Sequence, residues 1–274
     1  MRTPDLRKNK WIIVLIATLI VAFIILLIVL ITKNGNGGQN GTENQAGNPA
    51  VINDSFGLNP FVNANVGDIV KFGSYEQDNN TENGAEPIEW QVLEIRADGS
   101  LLVVSRYGLD SQPYNTERTD VTWETCTMRR WLNTTFFDTA FTSSEKTMIA
   151  KTRIANAGNI YGTTGGNDTE DQVFLLSIDE AKRLFKDEDE EGRSTARACK
   201  PTEYAKAQGA YTYDSNKYYG NGWWWLRSPG NDFYGAVGVS GGGNIGDYDG
   251  YVYGSETGVA DDAGTVRPAL IINP

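Results

Sequence analysis

From Trp11 to Ile31 every residue except Thr18 is apolar. At about 1.5 Å of rise per residue, a helix of that length matches a hydrocarbon core of about 30 Å. The run ends ITKNGNGG, without the small-x-small site that closes a cleavable leader. Arg2, Arg7, Lys8 and Lys10 precede it and Lys33 follows, a bias that keeps the N-terminus cytoplasmic. The expectation is a signal anchor: cytoplasmic residues 1–10, a transmembrane helix over 11–32, a single pass, and everything beyond it outside the cell. Residues 34–50, NGNGGQNGTENQAGNPA, hold no large apolar side chain. Such a stretch buries too little surface to offset the entropy of ordering it, so residues 33–65 read as a flexible linker.

From Val66 the pattern changes to short runs of Val, Ile, Phe and Tyr divided by turns. VGDIVKFGSYEQ, PIEWQVLEI and SLLVVSRYGL predict an opening antiparallel sheet, the last two joined across ADG. In WETCTMRRWLNTTFFDTAF the residues Met128, Trp131, Leu132 and Phe136 recur at helical spacing. Thr142 and Glu145 form a capping box ahead of SSEKTMIA. QVFLLS predicts a strand, IDEAKRLF and PTEYAKAQGA helices, and WWWLRS, AVGVS, YVYG and TVRPALII a closing set of strands. KDEDEEGR reads as a solvated acidic loop. The sum is one α+β domain over 66–274, a size that a single core supports.

Charge narrows the partners. The chain carries 24 basic and 35 acidic side chains. Residues 1–33 account for five of the basic and one of the acidic, so the remainder holds 19 against 34. Phosphate backbones need a basic footprint, so nucleic acid is excluded as a partner. The chain has no histidine, which makes a zinc site improbable beside two lone cysteines, Cys126 and Cys199. Those two are equally readable as a disulfide or as buried thiols.

Three catalytic patterns fail on context. Gly238-Val-Ser240-Gly-Gly242 fits GxSxG, but that elbow needs a following helix and a histidine base. Gly241, Gly243 and Gly246 fit GxGxxG, but Asp247-Tyr248-Asp249-Gly250 continues as turn rather than helix. Ser143 and Lys146 fit SxxK without the companion elements of that chemistry. Carboxylates are plentiful, among them Glu86, Glu89, Asp168, Glu170, Asp171, Asp187 to Glu191, Asp247 and Asp249. A hydrolase acting on envelope carbohydrate through two of them is the alternative reading, and a structural envelope protein a third. Neither 167–171 nor 247–249 has EF-hand spacing. No catalytic residue, metal ligand or cofactor is assigned.

Residues 231–262 use a different vocabulary: Asn, Asp, Ser, Gly and Tyr around a few apolar points. Tyrosine offers large amphipathic contact at low entropy cost, and Ser, Gly and Asn offer adaptable hydrogen bonds, as in antibody loops. The tract therefore reads as an exposed contact surface for a glycan or protein. Its candidate ligand-binding residues are Asn231, Asp232, Phe233, Tyr234, Asn244, Asp247, Tyr248, Asp249, Tyr251 and Tyr253.

The succession QVFLLSIDEAKRLF, ACKPTEYAKAQGA, WWWLRSPG and TVRPALIINP resembles a widespread bacterial surface domain, over about Val66 to Pro274. Its ending resembles the WWLRS…GVRPAL signature of C-type-lectin-like domains of the formylglycine-generating-enzyme type. The resemblance implies that the tryptophan and RPAL strands are core partners, that Trp224, Leu226, Arg227 and Arg267 are structural, and that 231–262 is exposed. Catalysis in those enzymes depends on a C-terminal cysteine pair, and nothing after Cys199 is cysteine, so that activity is not implied. The arrangement is also similar to variable proteins of diversity-generating retroelements, whose mutable tract is reached by changes at adenines. On this reading the protein is a non-enzymatic, lectin-like ligand binder at the cell membrane.

Overall fold

The computed structural model describes residues 51–52, 61–159, 162–214, 216–245 and 256–274, all within the unit Pro49–Pro274. Two sheets form the core. The first runs β1 (Val51–Ile52), β2 (Ile69–Tyr75), β3 (Glu86–Ile95), β4 (Leu101–Ser105), β13 (Ala269–Ile272) and β8 (Val173–Phe174). The second runs β11 (Glu256–Gly258), β10 (Gly235–Val239), β9 (Trp224–Pro229), β12 (Thr265–Val266) and β5 (Asp110–Ser111). A ribbon pairs β6 (Thr152–Ile154) with β7 (Thr169–Asp171).

Strand β4 is buried from end to end, and apolar as far as Ser105, because β3 and β13 flank it and both its faces are covered. The pairing of β2, β3 and β4 is antiparallel, as their alternation and the ADG turn predict. TVRPALII does not form one strand. Thr265-Val266 joins the second sheet, Pro268 interrupts the ladder, and Ala269–Ile272 enters the first between β4 and β8.

Arg267 lies at that crossover, 2% exposed. Its Nε donates to the Ser105 carbonyl at 2.9 Å and its NH1 to that of Arg197 at 3.1 Å. The guanidinium also sits 5.0 Å from the Trp224 ring and 5.5 Å from the Phe185 ring. The tryptophans of β9 and its lead-in alternate, as neighbouring strand residues must. Trp224 faces Arg267 and donates its Nε1 to the Arg197 carbonyl. Trp223 and Trp225 meet edge to face on the other side, centroids 4.7 Å apart.

Helices are brief. Helix α1 (Thr127–Trp131) continues through a π turn, Leu132–Phe136, into α2 (Phe137–Ala140). Then come α3 (Ser143–Met148), α4 (Ile178–Leu184) and α5 (Glu203–Ala207). The Thr142 capping box forms as read, and Ser177 with Glu180 makes a second. These elements span strand connections, the longest continuous stretch being Thr127–Ala140, so the sheets supply the architecture.

The expected α+β, C-type-lectin-like domain behind a membrane helix is therefore corrected to a mostly β domain with a little helix. Among the described residues no helix is long and apolar enough to cross a membrane. The anchor read over 11–32 lies outside the described residues. The single-pass, membrane-anchored localisation is withdrawn with it.

Candidate functional site

Strands β9 and β10 are joined by a loop from Gly230 to Gly235, which carries Asn231, Asp232, Phe233 and Tyr234. The loop is held by its backbone on every side. Gly230 N–H donates to the Gly235 carbonyl, and the Asp232 carbonyl accepts from Gly235. The Phe233 carbonyl accepts from Val121 N–H at 3.0 Å and that of Tyr234 from Val259 N–H at 2.9 Å. Asn159 donates its side-chain amide to the Gly230 carbonyl, and the Thr163 hydroxyl donates to that of Asn231 at 2.6 Å.

With the main chain so fixed, the side chains project. Phe233 is 51% exposed and Tyr234 37%. The Arg118 guanidinium lies 4.8 Å from the Tyr234 ring centroid. A side-chain hydrogen bond with Asp232, and the charge of that carboxylate, push the Tyr234 phenol above its ordinary value. Tyrosine and phenylalanine on a preformed loop, with an arginine stacked against them, are the residue types that anchor recognition surfaces.

Beside this loop opens a cleft of about 200 Å³. Its walls come from residues 155–159 and Gly165, the start of α4 and the end of β9, with Asn156, Asn159, Ser177, Asp179, Glu180, Arg227 and Ser228 as the polar lining. Arg227 spans the base: NH1 donates to the Leu175 carbonyl at 2.7 Å and to Glu180 Oε2 at 2.5 Å, and NH2 donates to the Ala155 carbonyl. Burial alone would raise Glu180. The Arg227 charge and hydrogen bond, with the Ser177 N–H, outweigh it and hold the carboxyl below its ordinary value. An ionised carboxylate locked to an arginine positions neighbouring groups and does not deliver protons.

Asn244 has a different task. Its backbone N–H and side-chain Oδ1 engage the Ser240 hydroxyl, and its Nδ2 donates to the Glu191 carbonyl at 2.8 Å. The side chain is used in holding the turn 240–244 against the acidic loop. Asp247, Tyr248, Asp249, Tyr251 and Tyr253 lie outside the described residues.

The tract 231–262 is also less open than its composition suggests. Ala236, Val239, Ile245 and Val259 are buried. A Cβ at Gly241 would stand 2.3 Å from the Tyr213 ring, and one at Gly243, where φ is +78°, 1.9 Å from the Ser194 carbonyl oxygen. Tyr213 thus covers Gly241, Tyr218 covers Gly242, and the Ser194 backbone covers Gly243.

Arg197 was not singled out from sequence, where a lone arginine in STARACK carries no pattern. It is wholly buried, donating Nε to the Gly243 carbonyl and NH2 to that of Gly192, with NH1 2.6 Å from Glu188. The acidic loop it grips is structured rather than merely solvated. Asp187 accepts from Ser194, Thr195 and the Ala196 N–H, and Asp189 from the Arg193 backbone and guanidinium.

The candidate carboxylates elsewhere have similar employment. Glu89 pairs with Arg106, Asp168 with Arg153 and Glu170 with Lys151. Asp171, fully buried, accepts from Trp123, Arg129 and Thr169. Glu76, Asp78 and Glu86 approach one another, but their oxygens cap the backbone N–H groups of Gln77 and Asn80. Cys126 and Cys199 are both free and buried. Burial pushes the Cys126 thiol up to about 12 and raises Cys199 as well, so both are inert packing groups.

A mostly β domain presenting a fixed aromatic loop over a polar cleft is the class that fold and site define. Residues 98–274, more than half of the chain and including β9, the loop and the crossover at Arg267, match a family described as a domain of unknown function, DUF6273. The chain belongs to that family. No curated protein and no solved structure matches it.

Proposed function

We propose that this chain is a non-enzymatic ligand-binding protein whose contact surface is the Asn231–Tyr234 loop together with the cleft beside it, and that its ligand is a glycan or a protein. The observation carrying this reading is the contrast inside the loop. Its backbone is bonded to three neighbouring segments, while Phe233 is half exposed with Tyr234 and Arg118 beside it. A preformed surface of that kind binds without the cost of ordering itself. For carbohydrate cleavage in this cleft, Glu180 supplies no general acid, because it is tied to Arg227 and held ionised.

The test is an array of glycans and proteins probed with the full chain, followed by titration of whatever is retained. The double variant Asp232→Ala/Phe233→Ala is expected to bind at least about tenfold more weakly, since anchors of this type carry most of a contact's energy. Its melting temperature is expected to match the parent's. Unchanged affinity, or a fall in melting temperature that accompanies the loss, would remove the loop from the contact surface.

A further inference from the structure

We propose a second binding site, for a carboxylate-bearing sugar, on the two grooves that flank the helix Thr127–Phe136. One groove, of about 330 Å³, is lined by Gln112, Thr116, Trp131 and Thr135; the other, of about 430 Å³, runs past Asn133, Lys151 and the carboxylates Glu124, Glu170 and Asp171. Arg130 and Thr134 belong to both, so Arg130 stands on the ridge between them. These volumes fall in the range of small-molecule sites, about 300–1,000 Å³. Neither groove shares a lining residue with the cleft at Arg227.

Charge singles out Arg130. Arg106, Arg129, Arg153, Arg183, Arg193, Arg197 and Arg227 each pair with a carboxylate. Arg96 acts on Asp98, Arg118 stacks on Tyr234 and Arg267 is bonded to carbonyls. Among the described residues Arg130 and Arg96 are the arginines with neither ion pair, ring contact nor hydrogen-bonded guanidinium, and of the two it is Arg130 that lines both grooves. In a chain of net charge −11 this is no shortage of acids. The nearby carboxylates are already engaged: Asp171 by Arg129, Glu170 by Lys151, and Glu124 by the Asn167 amides.

The neighbours of that free cation specify the ligand. Trp131 is half-buried, its ring packed 5.5 Å from Phe136, which leaves part of a flat apolar face in the groove. A sugar ring offers an apolar C–H face to such a surface. Its hydroxyls suit the Thr116 and Thr135 side chains and the Gln112 amide oxygen, the amide nitrogen being bonded to Asp110. A carboxylate on the ring suits Arg130, whose planar fork can donate two parallel N–H···O bonds. The acid could be a free monosaccharide or a unit of a polymer.

Calorimetric titration of the full chain with galacturonate, trigalacturonate and the methyl ester of trigalacturonate distinguishes these sources and tests the site. Binding of either acid, with the ester at least about tenfold weaker, is expected. Arg130→Gln should lose about tenfold toward the acid and nothing in melting temperature. Arg153→Gln, removing another exposed arginine, should bind as the parent does. Equal binding of acid and ester, equal loss in both variants, or no heat from either acid would overturn the proposal. Because Asp232 and Phe233 lie in neither groove, their double variant should retain acid binding, which separates failure of this site from failure of the loop.

Discussion

Asp110 is 2% exposed and makes its bonds inward: Tyr75 donates its hydroxyl to Oδ2 at 2.5 Å and Ser111 its N–H to Oδ1 at 2.7 Å. Burial raises its carboxyl despite those donors, and the buried Tyr75 phenol beside it is raised too. The sign follows. A folded-state value above the ordinary value of about 3.9 means the protonated form is the one the fold prefers. That stability is complete below about pH 4 and is lost as pH climbs through the raised value. Asp110→Asn keeps an acceptor for Ser111 and has no proton to lose. In urea unfolding from pH 4 to 8, the stability of the variant relative to the parent should rise with pH, by up to about 1.4 kcal/mol per pH unit while the carboxyl is ionised in the unfolded chain and protonated in the fold. A flat difference would show that Asp110 titrates normally. Nothing in LDSQP forecasts this burial, since the partner Tyr75 is distant in sequence. The alternation of Trp223, Trp224 and Trp225, by contrast, was legible because a two-residue period is a local property.

At the scale of elements, Asn133 joins a helix to a sheet. Its Nδ2 donates to the Arg129 and Val173 carbonyls, and its Oδ1 accepts from the Gln172 and Val173 N–H groups. Asn133→Ala would orphan two backbone donors in a partly buried seam, each costing about 1–3 kcal/mol. The expected loss is about 3 kcal/mol, a fall of about 6–12 °C in melting temperature for a domain of this size. A loss under about 1 kcal/mol in scanning calorimetry would mean that water replaces the clip. The helix itself was readable from Met128, Trp131, Leu132 and Phe136, of which Met128, Leu132 and Phe136 are buried and Trp131 is half-buried. The π turn was not, because one added residue in a turn leaves the apolar residues facing inward still. Nor was the order of the acidic loop, since a run of carboxylates looks solvated until Arg193 and Arg197 are placed against it.

For the whole molecule, the division between scaffold and contact surface is finer than composition implies. Gly, Asn and Tyr serve turns and recognition alike, so their abundance in 231–262 did not show which residues pack. Asn231–Tyr234 project from a bonded backbone, whereas 235–245 holds β10 and glycines crowded by Tyr213, Tyr218 and Ser194. Saturation of residues 231–245, sorted for folded protein by protease resistance, should therefore split sharply. Asp232, Phe233 and Tyr234 should accept most residues. Gly241 and Gly243 should reject even alanine, Gly243 by several kcal/mol, since its left-handed backbone and the Ser194 oxygen both oppose a Cβ. If the tract is diversified among relatives, the same boundary must appear in their changes, because a diversifying mechanism proposes substitutions and the fold retains only those it can pack. Variation reaching Gly241 and Gly243 as freely as Asp232 to Tyr234 would contradict both the packing and the assignment of the contact loop.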